Sequence, residues 1–225
     1  MDKLPPLSSE KNKPLTRKSF LDALTKFETA YQNICGRENG KEDEQGGKEY
    51  VEGVYSISPD ALKSYFDSLN DAGVEILNPE EAAMVKVLEA ASEYMNVYSL
   101  PNYELMDPEL EISCLDQSDK AAVGEETKAR EENNFKKVRY WSDVANRVDL
   151  MKRLSQGDEI SYDDEKKIRP NLENVDYLLE MLGSDGRVRS IDGIATASSL
   201  HELSNNFKMQ ADIITMLLHL ASEKK

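Results

Sequence analysis

Cysteine is scarce in this chain. The two present, Cys35 and Cys114, stand far apart, and neither belongs to a CxxC pair. That excludes a disulfide framework and leaves two free thiols of a reducing compartment as the expectation. Histidine is equally scarce, with His201 and His219 alone. Their spacing equals five helical turns, so on one straight helix they share a face yet stand roughly 27 Å apart, too far to hold a common metal. Long apolar runs are missing, and none reaches the ~18 residues of a membrane-crossing helix. The opening, MDKLPPLSSEKNKP, lacks the apolar centre of a Sec signal. A cytoplasmic location is therefore expected, or export by a route that needs no such signal. HExxH, GxSxG and P-loop patterns are absent, and no nucleophile stands beside a base. The expectation is a protein that is not an enzyme and holds no cofactor.

Positive charge is also in short supply. Against 43 acidic residues there are 28 Lys and Arg, a formal charge of −15. Such a field repels phosphate backbones and anionic lipid, which argues against nucleic acid and membrane insertion and leaves basic proteins as partners. The same acidity serves solubility. Hydrophobic residues make up 39% and charged residues 32%, which predicts small helical units joined by polar segments rather than one thick core.

What the chain does have is helical periodicity. Residues 1–15 read as a disordered arm. Phe20, Leu24, Phe27, Tyr31 and Ile34 then recur at spacings of four and three, one helical stripe. Thr16 or Ser19 can cap its start and Gly36 can end it. The Gly-rich, charged stretch 36–50 has little to bury and reads as a linker. Next, Ile57 is an extended residue, Ser58 a cap, Pro59 the first helical residue and Asp60 an acid near the positive helix end, with Leu62, Tyr65, Phe66 and Leu69 behind. The same signal returns with Ile76 extended, Asn78 as cap, Pro79 first in the helix and Glu81 placed to close a capping box. Val85, Leu88, Ala91 and Met95 form the stripe of that helix.

Residues 99–124 carry two prolines, many acids and scattered apolar residues, and are expected to form an acidic surface loop. One long helix is expected over 125–155, with Val138, Trp141, Ala145, Val148 and Met151 as its stripe and Gly157 just past its end. A third signal follows: Ile160 extended, Ser161 as cap, then Asp163, Asp164 and Glu165, acids that suit a helix N-terminus without implying chemistry. Pro170 stops this short helix, and Asn171 can cap another bearing Val175. The fourth signal is Val188, Ser190 and Asp192. The last helix is expected to run to about Glu223, with Leu203, Phe207, Gln210, Ile214, Leu217 and Ala221 as a heptad seam interrupted by one polar residue.

The stretch GSDGRVRSID, residues 183–192, has the outline of a calcium loop. With Gly186 at the sixth place of an EF-hand loop, Asp185 is fifth, Val188 eighth and Asp192 twelfth. The first and third places fall on Met181 and Gly183, which offer no side-chain oxygen. Calcium takes about six to eight oxygens, so Asp185 and Asp192 are weak metal candidates and no bound metal is expected. What persists is a tight turn, an extended residue able to pair with another of its kind, and a capped helix.

The recurring unit, as in GDEISYDDEKKI and SDGRVRSIDGI, resembles degenerate EF-hand-like modules. It also resembles short units of harpin-like and translocon-associated proteins of bacterial type III secretion systems, over 51–98 and 157–223. That resemblance implies an exported virulence or secretion-apparatus protein that contacts other proteins and has no catalytic centre. The fold class expected is mainly α, with short capped helices in two lobes, 16–98 and 125–225, EF-hand-like without calcium, and minimal β pairings. The function expected is non-catalytic protein binding. An acidic adaptor or chaperone for a basic partner and a weak calcium sensor are the other two readings.

Overall fold

The computed structural model describes residues 14–38, 64, 76–99, 106–170, 175 and 197–224. Their architecture is mainly α-helical: α1 (Arg17–Glu38), α2 (Pro79–Tyr98), α3 (Pro108–Glu131), α4 (Phe135–Ser155), α5 (Tyr162–Ile168) and α6 (Ala197–Ser222). Ser64 and Val175 also lie in helical backbone. The helix expected after Ser58 and Pro59 and the turn of 183–192 lie outside the described residues.

Thr16 and Ser19 cap α1 together. The Thr16 hydroxyl accepts from the Ser19 amide at 3.4 Å, and the Ser19 hydroxyl accepts from the Thr16 amide at 3.2 Å. Two amides that no helical carbonyl can reach are satisfied reciprocally. The helix runs through Gly36 to Glu38, two residues beyond the expected end; one glycine costs a helix only about 1 kcal/mol against alanine. Phe20, Leu24 and Phe27 of the expected stripe are buried. Asn78 starts α2 with a full capping box, its side chain accepting from the Glu81 amide at 2.8 Å while Glu81 Oε2 accepts from the Asn78 amide at 3.1 Å. Ile76 makes a single antiparallel β-bridge, with Thr16. The expected partner was another extended residue of the repeat; here the bridge ties the entrances of α1 and α2 instead.

Two expectations fail between 99 and 155. Residues 108–131 form a helix, not a loop. Asp107 accepts from the amides of Glu109 and Leu110, and Pro108 takes the first helical position. Proline there costs nothing, because its missing N–H would have had no helical partner. The expected helix 125–155 is really the end of α3, a turn and α4. Asn133 adopts φ 53°, the Asn134 amide reaches the Ala129 carbonyl at 2.9 Å, and the Asn133 amide reaches Arg130 at 3.0 Å. This is a Schellman termination with asparagine in the left-handed place. Asn134 then caps α4, its side chain accepting from the Lys137 amide at 3.2 Å. The end of α4 repeats the device with Gly157 at φ 85°, where Asp158 reaches Arg153 at 2.9 Å and Gly157 reaches Leu154 at 3.0 Å. Ser161 starts α5 by accepting from the Asp164 amide at 3.2 Å, and the helix stops at Ile168, short of Pro170, as the sequence predicts.

Two apolar clusters hold the molecule. The first joins α1, α2, Val175 and one side of α6, through Phe20, Phe27, Leu88, Met95 and Phe207 among others. The second joins α3, α4, α5 and the other side of α6, through Leu115, Val148, Ile168, Ile213 and Leu217. The expected division into lobes 16–98 and 125–225 does not follow this packing. α6 serves both clusters and packs most extensively on α2. Its seam residues Phe207, Ile214 and Leu217 are buried within the chain, so the heptad seam is an internal one.

Candidate functional site

Five helices converge on one small cavity. Tyr94 and Tyr98 come from the end of α2, Glu111 from the first turn of α3, and Met151, Leu154 and Ser155 from the end of α4. Ile168 and Arg169 close α5, and Gln210 and Ile214 come from the middle of α6. The volume is about 60 Å³. The walls draw on both apolar clusters, Tyr94 and Ile214 from the first and Met151 and Ile168 from the second, so the cavity lies on their junction. Tyr98, Ser155 and Arg169 are exposed and form its mouth, whereas Gln210, Met151, Ile168 and Ile214 are buried and form its floor.

The caps and terminations described above place these groups. Asp107 and Pro108 start α3 so that Glu111 falls in its first turn. The Schellman ending of α4 leaves Ser155 as its last helical residue. Arg147 fixes the end of α5: buried itself, it donates to the carbonyl of Lys167 and to Asn206 Oδ1, the latter at 2.6 Å. An arginine at a helix C-terminus satisfies a carbonyl that has no helical donor. Burial draws the Arg147 guanidinium below its ordinary range, with the Asp143 carboxylate acting against that.

The electrostatics inside are unusual for so acidic a chain. Burial pushes the Glu111 carboxyl above the carboxylate range, while the Ser155 hydroxyl and the Arg169 guanidinium pull it back. Burial also raises the Tyr94 hydroxyl, with Tyr98 adding to the rise and Arg169 opposing it. The two tyrosine rings lie 5.7 Å apart, tilted by 34°. Arg169 pairs with Glu165 at 3.2 Å. Gln210 is 1% exposed. Its Nε2 donates to Met151 Sδ at 3.4 Å, and its Oε1 accepts from no group among the described residues. A buried amide oxygen without a donor costs about 1–3 kcal/mol, and this one is closed off even from water.

A second polar contact joins α4 to α6. Tyr140 of α4 donates to Asp212 Oδ2 of α6 at 2.9 Å. Burial raises the Asp212 carboxyl, against the Tyr140 hydrogen bond and Lys208. Burial and then the Asp212 charge raise Glu93 on α2.

The histidines, cysteines and acids singled out in the sequence lie elsewhere. His201 and His219 both stand exposed on α6, and His219 lies 3.6 Å from Glu223. Cys114 is free and buried in the second cluster, its thiol raised by that burial. Cys35 lies within α1. Asp163, Asp164 and Glu165 occupy the first turn of α5; hydrogen bonds from Lys167 and Ser161 lower Asp164. Asp185 and Asp192 lie outside the described residues. Among the described residues no group of three or more metal-ligating side chains gathers, and no helix is long and apolar enough to cross a membrane. Gln210, the polar insertion of the seam, lines the cavity floor with the stripe residues Met151 and Ile214. Tyr94, Tyr98, Glu111, Ser155 and Arg169 carried no signal of their own, although the Asp107–Pro108 cap, once read as a helix start, places Glu111. No protein-family model, no curated protein and no solved structure matches this chain.

Proposed function

We propose that this chain is a non-catalytic, acidic helical protein that docks a basic segment of a protein partner. The observation that carries the reading is the charge of −15 on a helical chain whose junction cavity is lined by a carboxyl and two tyrosines. A field of that sign concentrates cationic partners around the molecule and speeds their encounter. The rest of the polar inventory is consistent with a structural role: Arg147, Tyr140 and Ser204 each bind one helix to another.

The test is binding of labelled lysine-rich and glutamate-rich peptides of equal length to the full chain. The lysine-rich peptide is expected to bind, and to weaken as sodium chloride is added, because contacts between exposed charges are screened. Equal binding of both peptides, or of neither, would overturn the reading.

A further inference from the structure

We infer that the molecule opens along a seam built into its packing: α3, α4 and α5 swing off α6 as one body, while α1, α2 and α6 stay together. The opening is independent of what the chain docks. The buried polar groups divide along this line. Within α1, α2 and the side of α6 that meets them, each has a partner. Arg17 and Glu81 pair at 3.0 Å, Ser92 donates to the Leu88 carbonyl at 2.6 Å, and Ser204 of α6 donates to the Lys86 carbonyl of α2 at 3.0 Å.

At the seam and beyond it the same groups fare worse. Gln210 of α6 has the Met151 sulfur of α4 at 3.4 Å, and its Oε1 accepts from no group among the described residues. Ser118 lies on the face of α3 that carries Leu115 and Ala122, and its hydroxyl is buried without a partner among the described residues. Arg147 is buried, yet its hydrogen bonds go to a carbonyl and to the Asn206 amide of α6, and no ion pair among the described residues includes it. A closed seam leaves these groups short of partners, and water admitted by opening supplies them. Opening also uncovers Ile213 and Leu217 of α6, which favours the closed state. The first body keeps its own core, so opening costs less than unfolding.

Packing draws the same line. α6 packs most extensively on α2 and α3 on α4, whereas α4 and α5 meet α6 sparsely. Polar links bridge the gap: Tyr140 to Asp212 at 2.9 Å, Arg147 to Asn206 at 2.6 Å and Lys224 to Ser113 at 2.6 Å. Polar contacts of this kind between two bodies of one chain permit relative motion. The junction cavity lies on the seam. One wall belongs to α2 and α6, with Tyr94 and Ile214, and the other to α3, α4 and α5, with Glu111, Met151 and Ile168. The exposed side chains of Phe135 and Tyr162 lead less far, since nothing seated on them identifies an occupant.

Thiol labelling of the folded chain tests the opening. Cys114 is buried on α3, next to the Ser113 that Lys224 reaches from the end of α6. In a Cys35→Ala chain it is the single thiol, and its reaction with iodoacetamide is followed without denaturant. Urea melts of the same chain give the rate expected if complete unfolding alone uncovers it. Labelling about tenfold or more above that rate is expected. Ile213→Cys, in a chain with Cys35→Ala and Cys114→Ala, places the thiol on the α6 side of the seam and is expected to exceed its own unfolding rate likewise. Ala91→Cys in the same background, inside the first cluster, is expected to react at its unfolding rate. Gln210→Met removes the unserved amide and is expected to slow Cys114 about tenfold. Should that variant fail to fold, Tyr140→Phe removes a seam link and is expected to speed Cys114 several-fold. Reaction of Cys114 at the unfolding rate would overturn the inference. So would fast reaction of Cys114 without Ile213→Cys, which means fraying of α3 alone, or a rate of Cys114 that neither variant moves.

Discussion

The two apolar clusters solve the same packing problem with different materials. The first is dry and crowded. In α2, Ala83, Met84, Val85, Val87, Leu88, Ala91 and Met95 are all buried, leaving a narrow exposed strip at Lys86, Glu89, Glu93 and Asn96. A buried ion pair, Arg17 with Glu81 at 3.0 Å, sits at the bridged entrances of α1 and α2 and doubles as a cap, since the other Glu81 oxygen accepts from the Asn78 amide. The second cluster carries polar insertions. Arg147 is buried in it, Ser118 Oγ has no hydrogen-bond partner among the described residues, and the cavity opens along its edge. The first cluster keeps its buried charges at the helix entrances, the second carries one inside, and the cavity lies where the two meet.

The comparison can be broken most forcefully at Glu81. Glu81→Ala removes the carboxylate that Arg17 pairs with and half of the capping box, and should cost about 4–5 kcal/mol in urea unfolding. A loss near 1 kcal/mol would show that the pair contributes no more than a surface contact. The same deletion made in each cluster measures packing directly. Leu88→Ala and Leu115→Ala, both at fully buried sites, should each cost about 3–4 kcal/mol. A loss near 1 kcal/mol at Leu115 alone would show that the second cluster closes around the missing atoms. Asn78→Ala, which spares the ion pair, should cost about 1 kcal/mol, and an unchanged midpoint would show that Glu81 alone fixes the entrance of α2.

The smallest effect is one of slope. Asp212 has its carboxyl raised by burial, with Tyr140 and Lys208 opposing. An unfolded aspartate titrates near 3.9. Above that pH the native state holds its proton more tightly than the unfolded state, so stability falls as pH rises through the raised value. Asp212→Asn removes this titration, and thermal melts at pH 4 and pH 6 should show a shallower decline than wild type. Parallel declines would place the raised carboxyl elsewhere, with Glu93 and Glu111 as the alternatives.

Much of the helical skeleton was legible because caps are local chemistry. Asn78 with Pro79 and Glu81, Ser161 with its acids, and Gly157 each act within one turn of backbone. Misreadings arose where one residue type serves two ends. Pro108 resembles a breaker until Asp107 beside it is read as a cap. Asn133 looks like an ordinary polar helix residue until its left-handed backbone is seen. The cavity was almost invisible, since its lining comes from five helices and the angles between helices are set by packing at a distance. Gln210 stood out as a polar residue in an apolar seam, while Met151 and Ile214 read only as core.

The sharing of α6 has a consequence for how the molecule is made. On the ribosome, α6 emerges after every other described helix. Neither cluster can close without Phe207 and Ile214 on one side and Ile213 and Leu217 on the other. The α1–α2 and α3–α4 pairs can pack on each other first, but each keeps an apolar face uncovered until that strut arrives. The strongly negative chain repels its own copies during that interval, and the charge that invites a partner to the finished molecule also guards the unfinished one.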